Sequence, residues 1–129
     1  MRPTRVLGIF MLLALAACAA HGTRGGDDSP RSSRQTLTAD ELQGAPWSSL
    51  YDAVSALRGI WLRKRGPISL NGDADIVVYL DGNRLGGPAS LRTVPASSVQ
   101  VARFLTPPEA QSQFGMNHSH GAIVVVTRP

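Results

Sequence analysis

Ile76-Val77-Val78-Tyr79-Leu80 is the stretch that most restricts what this chain can fold into. Five apolar residues in a row, mostly β-branched or aromatic, have the length and shape of a strand. There is almost no polar alternation. A strand of that kind is buried on both faces, so its sheet needs cover above and below. A further apolar run, with Val124-Val125-Val126 at its centre, predicts the last strand at residues 122–127.

Helical cover is present upstream. Thr38-Ala39-Asp40-Glu41 has the form of a capping box, in which the threonine and glutamate side chains each satisfy the other residue's backbone N–H. Gly44 and Pro46 end that short helix. Trp47, Leu50, Tyr51, Val54 and Leu57 then recur at spacings of three and four, giving a longer helix one apolar face. Gly59 suits its end. Residues 60–70 read as extended and are broken by Gly66-Pro67.

Downstream, Asp81-Gly82-Asn83 turns the chain, and Leu85 starts a short return strand before Gly86-Gly87-Pro88. Residues 91–99 form an irregular helical passage. Residues 99–105 alternate, with Val99, Val101 and Arg103 opposed to Gln100, Ala102 and Phe104, as in a strand. Thr106-Pro107-Pro108-Glu109 opens another helix, where proline suits the first turn. Ala110 and Phe114 face inward and Gly115 closes it. The expected fold is α+β, a small α/β sandwich on one mixed sheet.

The N-terminal region is of another kind. Arg2 and Arg5 precede an apolar run at residues 6–15, and Leu15-Ala16-Ala17-Cys18 follows. This is the order of a secretory signal peptide. The run is too short for the roughly 20 residues that span a bilayer. The cysteine after small residues resembles the bacterial lipobox, which implies lipidation of Cys18. By the same resemblance, Ala19 implies the outer membrane, facing the periplasm. The expected division is a signal peptide at residues 1–17, a lipidated cysteine and flexible tether at 18–36, and a folded domain at 37–129. The tether is rich in Gly, Ser, Arg and Asp and has little to bury. Arg24, Arg31 and Arg34 in it can touch anionic headgroups.

Charge and cysteine content exclude several classes. The formal net charge is +4, and loss of Arg2 and Arg5 would leave eleven basic against nine acidic side chains. That balance gives no footprint for nucleic acid. Cys18 is the only cysteine, so no disulfide forms within the chain.

Three segments carry a family resemblance. They are Ile76-Val77-Val78-Tyr79-Leu80-Asp81-Gly82, the stretch from Val94-Pro95 through Phe104-Leu105, and Phe114-Gly115 followed by Gly121-Ala122-Ile123-Val124-Val125-Val126-Thr127. Together they resemble the plug domain of TonB-dependent outer-membrane receptors. In that family a V-x-D-G strand end precedes an I-P-x-x-x-I-x-x-I-x-V-L segment. A Y/F-G turn and a G-x-I-x-I-x-T strand then follow. Asp81, Gly82, Gly115 and Gly121 match the structural turn positions. The region from Thr38 to Leu62 resembles the family's first helix, with Arg58-Gly59 where proline–glycine is usual. The receptors continue into a β-barrel, whereas this sequence ends at Pro129. The resemblance therefore implies a non-enzymatic envelope lipoprotein, a protein-binding or accessory module rather than a transporter. Its implied partners are the membrane, an outer-membrane β-barrel or transport component, or a second copy of itself.

Other candidate chemistry is sparse, and no cofactor is expected. His118 and His120, at i and i+2 in Asn117-His118-Ser119-His120-Gly121, would share a face in a strand and reach one metal ion. That makes a ligand- or metal-binding lipoprotein the alternative reading. Asn71-Gly72-Asp73-Ala74-Asp75 has alternating oxygen ligands but lacks the glycine and glutamate of a calcium loop and reads as a polar turn. Arg63-Lys64-Arg65 is a basic run suited to a phosphate-bearing lipid. Ser48, Ser49, Ser97 and Ser98 have no nucleophile-elbow context. Trp47 and Trp61 read as core.

Overall fold

The computed structural model describes residues 30–64 and 75–129. A five-stranded mixed sheet forms the middle layer. Its strands are β1 (Thr36–Thr38), β2 (Val77–Leu80), β3 (Asn83–Gly86), β4 (Val99–Leu105) and β5 (Ala122–Thr127), in the spatial order β1-β4-β5-β2-β3. β2 and β5 run parallel, pairing Val78 with Ile123, and every other pair is antiparallel. The expected α+β sandwich on one mixed sheet is the fold observed.

Both faces of β2 are covered, as its composition demands. Val78 packs into the larger core with Leu37, Ala102, Phe104, Ile123 and Val125. On that face lie helices α2 (Ala39–Gln43) and α3 (Leu50–Arg58), which contribute Leu42, Leu50, Ala53 and Val54. Val77 and Tyr79 face the other way, beneath Ala110 and Phe114 of helix α4 (Pro107–Phe114). The Leu50 N–H donates to the Val94 carbonyl at 2.8 Å, tying the start of α3 to the chain that enters β4.

Local signals act where they were expected. Thr38 and Glu41 form a capping box, with the Thr38 N–H donating to the Glu41 carboxylate at 3.0 Å. Thr106 and Glu109 repeat the device at α4. Asp81 and Gly82 both take positive φ, 48° and 84°, in the tight turn joining β2 to β3. Short 3-10 turns occupy Pro88–Thr93 and Ala96–Ser98, where an irregular helical passage was expected.

Four expectations change. The tether was expected to stay coil to residue 36, but a helix, α1, spans Pro30–Gln35 and runs into β1. Tertiary contacts explain it. The Trp61 indole N–H donates to the Arg34 carbonyl at 3.1 Å, and Arg58 donates to the carbonyls of Ser33 and Thr36. Residues 60–62 were expected extended, but Gly59–Leu62 is a 3-10 helix that turns Trp61 into the core. Gly59 ends α3 as expected, at its C-cap, with a φ of −52° that leads on into the 3-10 turn. On α3, Leu57 is exposed, and Ala53 takes the inward place beside Leu50 and Val54. In β4, a register shift between Val99 and Val101 breaks the alternation, so Val99 shares the core of Ala102 and Phe104. Residues 65–70 lie outside the described residues.

Candidate functional site

Two places in the fold bear on function, the loop that leads into β5 and the open edge of the sheet at β3. The loop starts where α4 ends. Gly115 there has φ of 87°, and Asn117 and Gly121 also take positive φ. At Gly121 the reason is close approach. A Cβ would lie 2.4 Å from the Leu105 carbonyl oxygen, so only glycine lets the loop pass β4 before β5 begins.

This path drives His118 inward. His118 is 5% exposed. Its Nδ1 lies 2.8 Å from the Gly115 carbonyl, which can only accept, so Nδ1 carries the proton. Nε2 then accepts from the Tyr79 hydroxyl, also at 2.8 Å. Tyr79 in turn stacks on Phe114, with ring centroids 3.9 Å apart. His118 thus satisfies the one polar atom that the apolar β2 run carries on a side chain, and both its ring nitrogens are engaged.

His120 is also buried, in the turn just before β5. Neither histidine lies in a strand, so the strand alternation expected to align them does not operate. Among the described residues, no cluster of three or more His, Cys, Asp or Glu side chains is placed to hold a metal ion.

The turn positions of the family resemblance fall at structural junctions. Asp81, at the end of β2, accepts from the Thr127 N–H at 2.9 Å and from its hydroxyl at 2.7 Å. These two bonds hold the Asp81 carboxyl below its ordinary pKa, the hydroxyl contributing most. Glu109 is held low by the Thr106 hydroxyl and amide. Burial raises the pKa of Glu41, but the Thr38 amide and Arg58 outweigh it and leave the net shift downward.

Among the described residues β3 closes the sheet on one side, and Asn83, Arg84 and Leu85 on it are exposed. An edge strand carries backbone donors and acceptors that no neighbour within the sheet uses. A shallow cavity of about 230 Å³ lies beside it, lined by Asp75, Ile76, Val77, Arg84, Gly86 and Asn117 among others. The opposite edge, β1, is only three residues long.

The remaining candidates are simpler. Asp75 accepts from the Ile76 N–H at 2.9 Å and lies 3.9 Å from the Lys64 ammonium, and residues 71–74 of the polar turn lie outside the described residues. Arg63 and Lys64 are exposed, and Arg65 lies outside the described residues. So does Cys18, with the lipobox-like stretch and the first part of the segment expected to be a tether. Ser49 caps α3, its hydroxyl accepting from the Asp52 N–H and donating to the Asp52 carboxylate. Trp61 is 2% exposed, and Trp47 packs half-buried against the same core.

Sequence reasoning missed two residues. One is Tyr79, whose place in an apolar run disguised the only side-chain hydroxyl there. The other is Arg58, which bonds the Glu41 carboxylate at 2.6 Å as well as the carbonyls of α1 and β1. Its position in the last turn of α3 reads from sequence as a favourable helix-end charge and nothing more.

No helix among the described residues is long and apolar enough to cross a membrane. No family model matches the chain, and a search of curated proteins finds no match either.

Proposed function

We propose that this chain is a non-enzymatic envelope lipoprotein whose plug-like domain binds another protein at the outer membrane. The observation that carries the reading is the open β3 edge. Asn83, Arg84 and Leu85 stand exposed on a strand whose outer side has no partner strand among the described residues. An extended segment of an envelope protein can add there as a further strand, with Leu85 and Arg84 selecting its side chains.

The family resemblance is supported by the Asp81–Thr127 contact, which joins the aspartate of the first motif to the threonine of the third. The lipid anchor at Cys18 rests on the lipobox pattern. No described residue set suggests a reaction. Ser49 caps α3, Ser98 donates to the Pro95 carbonyl in a 3-10 turn, and His118 spends both nitrogens on structure.

Photo-crosslinking in cells tests the proposal. A crosslinker at Leu85 is expected to capture an outer-membrane barrel or transport component that a crosslinker at Met116, 81% exposed beyond α4, does not. Identical captures at both positions, or recovery of lipid alone at Leu85, would remove the β3 edge as the docking site.

A further inference from the structure

Leu57, near the end of α3, and Ile60, in the 3-10 turn that follows, are 38% and 52% exposed. Folding gives no reason for Ile60 to remain in water. Ile60 also walls a cavity of about 270 Å³ together with Trp61 and Phe104, and Arg34 lies on its rim. Arg63 and Lys64 follow directly and are exposed. Glu41 is bound to Arg58, and Asp75 pairs with Lys64 at 3.9 Å.

We propose that this end of the domain is a membrane-docking face, which lays Leu57 and Ile60 into the interface of an anionic lipid surface with Arg34 and Arg63 on the headgroups. The chemistry is that of interfacial binding, in which apolar side chains enter the headgroup boundary and flanking cations meet anionic lipid. The path of the chain selects a membrane as the occupant. Arg34 sits on α1, and α1 begins at Pro30. Pro30 lies twelve positions after Cys18. A chain of that length spans at most roughly 40 Å. A lipid on Cys18 would therefore hold this face, more than any distant one, against the bilayer. The inference rests on the lipoprotein reading for the presence of that bilayer.

The test uses the full chain with Cys18→Ser, which removes the only native thiol. Ile60→Cys then carries an environment-sensitive fluorophore, and Met116→Cys serves as the control position. Vesicles of phosphatidylglycerol with phosphatidylcholine are compared with vesicles of phosphatidylcholine alone. A blue shift at position 60 with the anionic vesicles only, and none at 116, is the expected result. Arg34→Glu with Arg63→Glu should abolish it. Raised salt should reverse it in the unaltered domain, so the result does not depend on a variant that folds poorly. An unmoved spectrum at 60, an equal shift at 116, or an equal shift with neutral vesicles would each overturn the proposal. Because Cys18 is replaced, such a failure leaves the lipid anchor and the β3 docking site untouched, and crosslinking at Leu85 decides those separately.

Discussion

The Asp81 carboxylate holds the end of β5 through Thr127, accepting from its N–H at 2.9 Å and from its hydroxyl at 2.7 Å. Asp81 sits at positive φ in the turn after β2, and β2 runs parallel to β5. One side chain therefore closes the turn and clamps the neighbouring strand. Parallel strands share no hairpin, so a bond of this kind fixes their relative ends where no turn can.

Asp81→Asn is the variant that isolates this clamp, because asparagine tolerates positive φ as aspartate does. The folded pKa of Asp81 is depressed, so its contribution is complete above the unfolded carboxylate range. It is lost as pH falls through the folded value. Asp81→Asn should lower the melting temperature at neutral pH and flatten its decline between roughly pH 5 and pH 3. Melting curves across that range decide it. A pH profile parallel to that of the native chain would mean that Asp81 carries no linkage.

Gly121→Ala and Gly82→Ala both place a Cβ at positive φ, 86° and 84°. That alone costs about 1–2 kcal/mol. Gly82 faces open space, whereas at Gly121 the added carbon would meet the Leu105 carbonyl oxygen at 2.4 Å. Urea unfolding should show the Gly121 variant to be the worse by at least ~1–3 kcal/mol, the usual cost of forced backbone shifts. Equal losses would show that the loop relaxes away from β4.

Arg58→Lys keeps the charge but shortens the reach. The guanidinium Nη2 meets the Ser33 and Thr36 carbonyls and the Glu41 carboxylate together, and a lysine ammonium ends one bond short of that position. The variant should lose about 1.5–3 kcal/mol. Hydrogen exchange should accelerate in α1 and β1 before it does in β2 and β5. Uniform acceleration throughout the sheet would place the role of Arg58 elsewhere.

Zinc or copper added to the full chain should leave the unfolding midpoint where it was. His118 is held through both ring nitrogens, and ligation would forfeit its bond to Tyr79 or to Gly115. A ligand that binds the native state must stabilise it. A midpoint that rises with metal concentration, and stops rising in His120→Ala, would restore the metal-binding reading.

Residues close in sequence announced much of the fold. The unbroken apolar run of β2 required burial on both faces, and Val77 and Val78 now lie in opposite cores. Thr38 with Glu41 and Thr106 with Glu109 declared two helix starts. Gly82, Gly115 and Gly121 marked turn positions, and all three take positive φ. Each of these signals is complete within a few residues, because capping, turn geometry and periodicity are local physics.

Tertiary structure decided what the local signals leave open. Tyr79 and His118 are 39 residues apart, and Asp81 and Thr127 are 46 apart. They meet only because β5 comes to lie beside β2. Arg58 holds α1 against the domain by satisfying carbonyls more than twenty residues upstream. The shift in β4 lets Val99 join the core across a break in its own alternation. Nothing near any of these residues specifies its partner. The partner follows from the strand order, and the strand order is set by how two apolar faces of one sheet are covered at once.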